Sequence, residues 1–124
     1  MQLFGLTVAR NTAINLGSGA DTVYVIDASF NTFQLNTGNG DDTVKLQPGN
    51  FGTTGKSSFS GQVSINLGGG NDTLSIGDPT TTPAAIVAFA NDLTIDGGTG
   101  LNTFDIHASF GGSVVIRNGR IRFI

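Results

Sequence analysis

Short stretches of alternating apolar and polar residues recur along the chain, each interrupted by a glycine cluster. The clearest is Ile65-Asn66-Leu67-Gly68-Gly69-Gly70-Asn71-Asp72-Thr73-Leu74-Ser75-Ile76. Alternation with a period of two marks a strand with one buried face, so this stretch predicts a strand, a glycine turn and a second strand. Three more copies align without gaps: Ile14-Asn15-Leu16-Gly17-Ser18-Gly19-Ala20-Asp21-Thr22-Val23, Leu35-Asn36-Thr37-Gly38-Asn39-Gly40-Asp41-Asp42-Thr43-Val44, and Ile95-Asp96-Gly97-Gly98-Thr99-Gly100-Leu101-Asn102-Thr103-Phe104. Their first aligned glycines, Gly17, Gly38, Gly68 and Gly98, are 21, 30 and 30 residues apart. Such periods belong to solenoids, whose units bury a face only against their neighbours.

Stacking the copies sorts their residues into columns. Thr12, Phe33, Val63 and Leu93 form one apolar column, and Ile14, Leu35, Ile65 and Ile95 another. After the turn come Val23, Val44, Leu74 and Phe104, then Val25, Leu46, Ile76 and Ile106. These four columns make an interior. The outward column Tyr24, Lys45, Ser75 and Asp105 shares no chemistry, which argues against a binding surface there. Asn15, Asn36, Asn66 and Asp96 form a polar column, as do Thr22, Thr43, Thr73 and Thr103; both are expected to be side-chain ladders along a parallel sheet. The column Asp21, Asp42, Asp72 and Asn102 places like charges one above another, which destabilises a sheet unless compensated. Bonds from turn N–H groups would compensate it, and so would a cation between coils.

The segments that return from one copy to the next each run into a phenylalanine: Phe30, Phe59, Phe89 and Phe110. A stacked phenylalanine column in the core is expected from the usual burial of this residue, against the competing picture of exposed rings that grip sugar. Residues 48–56 and 77–83 carry the proline, glycine and threonine of surface loops. Residues 83–90 are short and β-branched in the middle, and read as extended rather than helical. At the start, Leu6-Thr7-Val8 could pair beneath the first copy as a cap. Residues 113–124 read as a fifth, abbreviated unit whose Asn118-Gly119 turn replaces the longer one, with a hairpin as the competing reading.

Composition narrows the class. All nine acids are Asp and none is Glu, a bias toward turns and away from helices. The 124 residues suffice for a single domain spanning 1–124. A net charge of −3, with no interleaving of basic and aromatic residues, gives no footprint for nucleic acid. The absence of Cys excludes a disulfide framework and a thiolate metal site. No run is long and apolar enough for a membrane span. The first residues lack the pattern of a signal peptide, which leaves an excised piece of a longer protein, or a chain not exported by that route.

The pattern Gly-x-Gly-x-Asp-x-apolar resembles the nonapeptide of calcium-binding β-roll proteins of the RTX (repeats-in-toxin) type. Gly68-Gly69-Gly70-Asn71-Asp72-Thr73-Leu74 matches it except for the leading glycine, where Leu67 stands; Leu16 and Thr37 stand there in the first two copies, and the fourth has Asn102 for the Asp. The resemblance implies calcium between turns, with Asp21, Asp42 and Asp72 as its ligands. The spacing departs from that family, whose nonapeptides run in tandem about two to a coil. The longer coil is more similar to the right-handed parallel β-helix of bacterial surface proteins, adhesins and polysaccharide-active enzymes, which implies an extracellular or cell-surface location and a glycan or cell-surface partner.

The expectation is therefore an all-β, right-handed parallel β-helix of four full coils and a partial fifth, acting as a non-catalytic structural or adhesive module. A calcium-dependent module is the alternative. A polysaccharide lyase or hydrolase comes third: Asp41 and Asp42 are adjacent, but their side chains diverge on a strand, and His107 is the only His. A pocket where Asp and Lys or Arg converge would strengthen that third reading. Open sheet edges at the two ends predict end-to-end self-association, head to tail, because the basic last segment with Arg117, Arg120 and Arg122 repels its own copy.

Overall fold

The computed structural model describes residues 1–49, 55–82 and 84–123. Among these residues, sixteen short strands wind through three parallel sheets. The first sheet has six strands, β1 (Gln2–Phe4), β4 (Thr22–Ile26), β7 (Thr43–Leu46), β10 (Thr73–Ile76), β13 (Thr103–Ile106) and β16 (Arg120–Phe123). The second stacks β2 (Thr7–Val8), β5 (Ser29–Phe30), β8 (Lys56–Phe59), β11 (Ile86–Phe89) and β14 (Ala108–Phe110), and the third β3 (Thr12–Asn15), β6 (Phe33–Asn36), β9 (Val63–Asn66), β12 (Leu93–Asp96) and β15 (Val114–Arg117). Every third strand pairs with the one a full coil earlier, always parallel, so the chain is a parallel β-helix of five coils plus the first strand of a sixth. Among the described residues there is no helix.

The pairing register reproduces the aligned columns. Thr22, Thr43, Thr73 and Thr103 are successive partners in the first sheet, and Ile14, Leu35, Ile65 and Ile95 in the third. The interior columns from Val23 to Phe104 and from Val25 to Ile106 are buried throughout. Residues 2–15 complete a first coil with no glycine turn before it, which is why there is one more coil than the turns alone imply. The competing hairpin at the end does not form: β15 pairs with β12 and β16 with β13, each one coil below.

The returns, which shared only their phenylalanine in sequence, build the second sheet. Its inward column is the phenylalanine stack. Ring centroids lie 5.7 Å apart from Phe30 to Phe59, 5.1 Å from Phe59 to Phe89 and 6.0 Å from Phe89 to Phe110, with planes tilted by only 8–17°. Phe33 fills the corner, 4.9 Å from Phe30 and 5.2 Å from Phe59. Phe110 ends the stack half uncovered.

The corner from first to second sheet needs left-handed backbone, supplied by Gly5, Asp27, Gln47 and Gly77. Gln47 is fully buried there. Its Oε1 accepts the Asp27 N–H at 2.8 Å and the Ser57 hydroxyl at 2.7 Å, while its Nε2 donates to the Gly49 carbonyl at 2.9 Å. The two longer coils widen at this same corner. The loop expected over 48–56 includes residues 50–54, and that over 77–83 includes Pro83; those residues, and Ile124 at the end, lie outside the described residues. Asp78 and Ala85 bridge the base of the second loop, and Ile86–Phe89 is extended as expected.

At the corner from third to first sheet the glycine turns stack. A Cβ on Gly68 would fall on the Gly38 carbonyl oxygen, and φ is +85°. Gly17 has a similar positive φ of +103° but nothing within 4 Å of the added carbon. Both Gly→Ala changes force left-handed backbone on an L side chain. Only Gly68→Ala also pushes two coils apart. Chemical denaturation should therefore show Gly68→Ala as far more destabilising than Gly17→Ala; equal losses would mean that backbone conformation, not close approach, selects these glycines.

Candidate functional site

The stacked turns place the predicted acidic residues in one column. Neighbouring turns are joined by main-chain bonds in a fixed pattern. From the second turn on, the central residue is gripped from the coil below: the Asn39 N–H donates to Gly17 O at 2.9 Å, and Asn39 O accepts the Gly19 N–H at 2.8 Å. Gly69 is held the same way by Gly38 and Gly40, and Thr99 by Gly68 and Gly70.

Side chains of the acidic column cross-link the coils. Asp42 Oδ1 accepts the Asp21 N–H at 2.8 Å, Asp72 Oδ1 accepts the Asp42 N–H at 2.9 Å, and Asn102 Oδ1 accepts the Asp72 N–H at 2.9 Å. A second ladder runs beside it in the opposite sense: Asp41 Oδ1 accepts the Asn71 N–H, and Asn71 Oδ1 accepts the Leu101 N–H. The compensation expected from turn N–H groups is thus present, supplied from one coil to the next.

It covers one oxygen each of Asp42 and Asp72 and none of Asp21, which lies in the first turn. Oδ2 of Asp21, Asp42 and Asp72 is buried with no hydrogen-bond partner. Asp42 and Asp72 are each only 1% exposed, and a buried carboxylate oxygen without a partner is costly. Burial accordingly raises the Asp72 pKa, its bond from the Asp42 N–H works against this, and the charges of Asp42 and Asp41 raise it further. These oxygens are hard anionic donors, the type calcium takes. They are strung along the column: among the described residues no three His, Cys, Asp or Glu side chains gather around one point. Further ligands would have to be turn carbonyls, and those of Gly17, Gly38 and Gly68 already accept an N–H.

Asn102 explains its own departure from the repeat. Its Nδ2 donates to Gly97 O at 2.8 Å and to Asn118 O at 3.0 Å, which a carboxylate could not do. Leu67 and Thr37, standing where the family pattern has glycine, are fully buried and fill the core beside the turn. Gly97 keeps the glycine because a Cβ there would meet the Asn118 carbonyl.

Two members of the asparagine column bond within their own turns, and Asp96 Oδ1 also accepts the Asn118 side-chain amide of the next coil at 2.8 Å. Asn66 Oδ1 accepts the Gly68 N–H at 3.0 Å and Asp96 Oδ1 the Gly98 N–H at 2.9 Å, each within its own turn. The threonine column stacks in register, with Thr22, Thr73 and Thr103 exposed and Thr43 half-buried.

On the outer face of the first sheet, Lys45, Ser75, Asp78 and Asp105 line a cleft of about 210 Å³. Lys45 and the two Asp residues border this cleft, but among the described residues no ion pair joins them, so it does not supply the convergence of Lys and Asp that would strengthen the enzyme reading. Asp105 is held by Arg122 at 2.7 and 2.9 Å, and the Lys45 ammonium lies 5.8 Å from the centre of the Tyr24 ring. The Asp78 pKa is lowered by bonds from the Thr80 hydroxyl and N–H. A shared charge pattern was not visible in this outward column because its members act in pairs. His107 stands apart from the acidic column; its N–H donates to Ile76 O at 2.7 Å as part of the coil ladder.

Together these features define a parallel β-solenoid with a cross-linked acidic turn column. The chain matches no family model, no curated protein and no solved structure.

Two substitutions at Asp72 test the column at pH 7. Asp72→Asn keeps the acceptor for the Asp42 N–H and removes the buried charge, so stability should change by no more than ~1 kcal/mol. Asp72→Ala leaves that N–H unpaired and should cost ~1–3 kcal/mol. Because folding raises the Asp72 pKa above 3.8, the folded protein binds this proton more tightly than the unfolded chain. Its contribution to stability therefore falls as pH rises from 3.8 through the raised value. Denaturation across that window should show Asp72→Asn gaining on wild type as pH rises; parallel curves would place the proton elsewhere.

Proposed function

We propose that the chain is a non-catalytic structural or adhesive module of a bacterial surface or secreted protein, a rigid β-solenoid that continues by stacking further coils on its open edges. The observation that carries this reading is the parallel register that runs through all three sheets, whose end strands pair on one side only among the described residues. Parallel strands with free N–H and C=O groups are templates for another chain. Phe4 and Leu6 on the first coil and Val115, Ile121 and Phe123 on the last are exposed, which adds apolar area to both ends. Partners of this module are a further copy, stacked head to tail, and a glycan or cell-surface component.

The stepped ends favour rotation between stacked copies. β16 stands one strand above β14 and β15, so a copy that starts with its own β1 fits without a gap over β14 only when turned by one face of the solenoid. Light scattering and electron microscopy at rising concentration test the stacking. Mass that grows with concentration, and filaments one solenoid wide, are expected. A strictly monomeric chain at high concentration would rule out the self-stacking part.

A calcium-dependent module is the second reading, favoured by the three partnerless Oδ2 atoms of Asp21, Asp42 and Asp72. A cation bound only by the folded state raises the melting temperature through linkage. Thermal melts in millimolar calcium and in chelator separate the two readings: a curve that does not move supports the metal-free structural column, and a rise of ten degrees or so with calcium, lost in chelator, supports the metal.

A further inference from the structure

The turn column stops one turn short of the strands. Residues 97–102 join β12 to β13, but only residues 118–119 join β15 to β16. The short Asn118-Gly119 turn, with Asn118 at φ 58°, cuts across the corner. It leaves the upper side of the fourth turn facing a notch of about 490 Å³ lined by Gly98, Gly100, Leu101, Asn102 and Arg120 among others.

Three main-chain groups there find no hydrogen-bond partner among the described residues: Gly98 C=O, Gly100 N–H and Asn102 N–H. Asn102 as a whole is only 4% exposed, and its N–H is taken by no group among the described residues, which leaves this main-chain donor to whatever enters the notch. In each lower turn the same three groups are filled in the same way. Gly68 C=O and Gly70 N–H grip Thr99 by its N–H and C=O, and the Asp72 N–H is taken by Asn102 Oδ1. Gly38, Gly40 and Asp42 hold the next coil's Gly69 and Asp72 identically.

We infer that the notch is a docking site for an acidic, glycine-containing peptide segment of another polypeptide, of the form Gly-x-Gly-x-Asp. Its central residue bridges Gly98 C=O and Gly100 N–H, and its carboxylate accepts the Asn102 N–H. Charge favours the acid. No Asp lines the notch, and the Arg120 guanidinium makes no ion pair among the described residues, whereas Arg117 and Arg122 face Asp96 and Asp105. Leu101, 83% exposed, offers an apolar wall. A folded copy of this chain cannot place one of its own turns here. The strands flanking each turn run inward, into space that β15 and β16 fill. The occupant is therefore a loop or tail that enters from outside, so this site is independent of stacking at the sheet edges.

The capped peptide Gly-Ser-Gly-Ala-Asp, the sequence of the chain's own first turn, is the probe. Titrated into the full chain and followed by amide NMR, it should shift the Gly100 and Asn102 resonances saturably. Replacing its Asp with Ala, or making Arg120→Ala in the protein, should each weaken binding about tenfold, the scale of a charge-assisted bond. Arg120 is exposed, so this variant leaves the fold intact. Gly100 and Asn102 amides that stay still at saturating peptide would overturn the inference. Equal shifts from acetate at the same concentration would reduce the notch to a simple anion site and overturn it too. So would shifts of these amides that grow with protein concentration alone, which would make the occupant a folded copy.

Discussion

A carbonyl oxygen of each glycine turn occupies the place where the next turn's Cβ would stand. That approach lets the central residue of one turn be gripped by the main chain of the turn below, and it fixes the height and register of every coil. Once the turns are in contact, the strands on either side have no freedom to slip, because a shift of one residue would turn the apolar columns outward. The glycines at these positions serve the contact as much as the positive φ. Gly38, Gly68 and Gly98 would each collide with the carbonyl beneath them.

The acidic column is a consequence of this geometry. Stacked turns point one N–H of each coil at the next, and a short side-chain acceptor is the simplest group to receive it. Aspartate does so at the cost of burying a second oxygen with no partner, and the raised Asp72 pKa is the electrostatic trace of that cost. The fourth turn has no equivalent turn above it, and there the acid becomes Asn102, whose amide serves the carbonyls of Gly97 and Asn118. The charge disappears where the local bonding asks for a donor.

The remaining sides of the solenoid are held by side-chain packing. The phenylalanine stack carries the second sheet, whose strands are the shortest and least regular in sequence. Near-parallel rings at a coil's spacing give continuous apolar contact along the axis, and this lets the returns vary in length without disturbing the interior. The extra residues of the two long coils leave at one corner, beside Gln47 and Gly77, where left-handed backbone already bends the chain.

The sequence by itself determined the repeat, the strands on either side of each glycine turn, four interior columns and the acidic column. These follow from alternation and from residue types that only a turn tolerates, and both are local properties. The last segment, from Val114 to Phe123, was ambiguous between a hairpin and a further coil because an Asn-Gly turn serves either. The alternative was settled by the pairing partners one coil below, which no local pattern records. The second sheet, the buried Gln47 network and the local bonding of Asn66 and Asp96 came only from the tertiary structure. So did the facts that bear most on the candidate site: which carboxylate oxygen is left without a partner, and which turn has nothing above it. Those depend on what lies one coil away, a distance of ~4.8 Å in space but 21 or 30 residues along the chain.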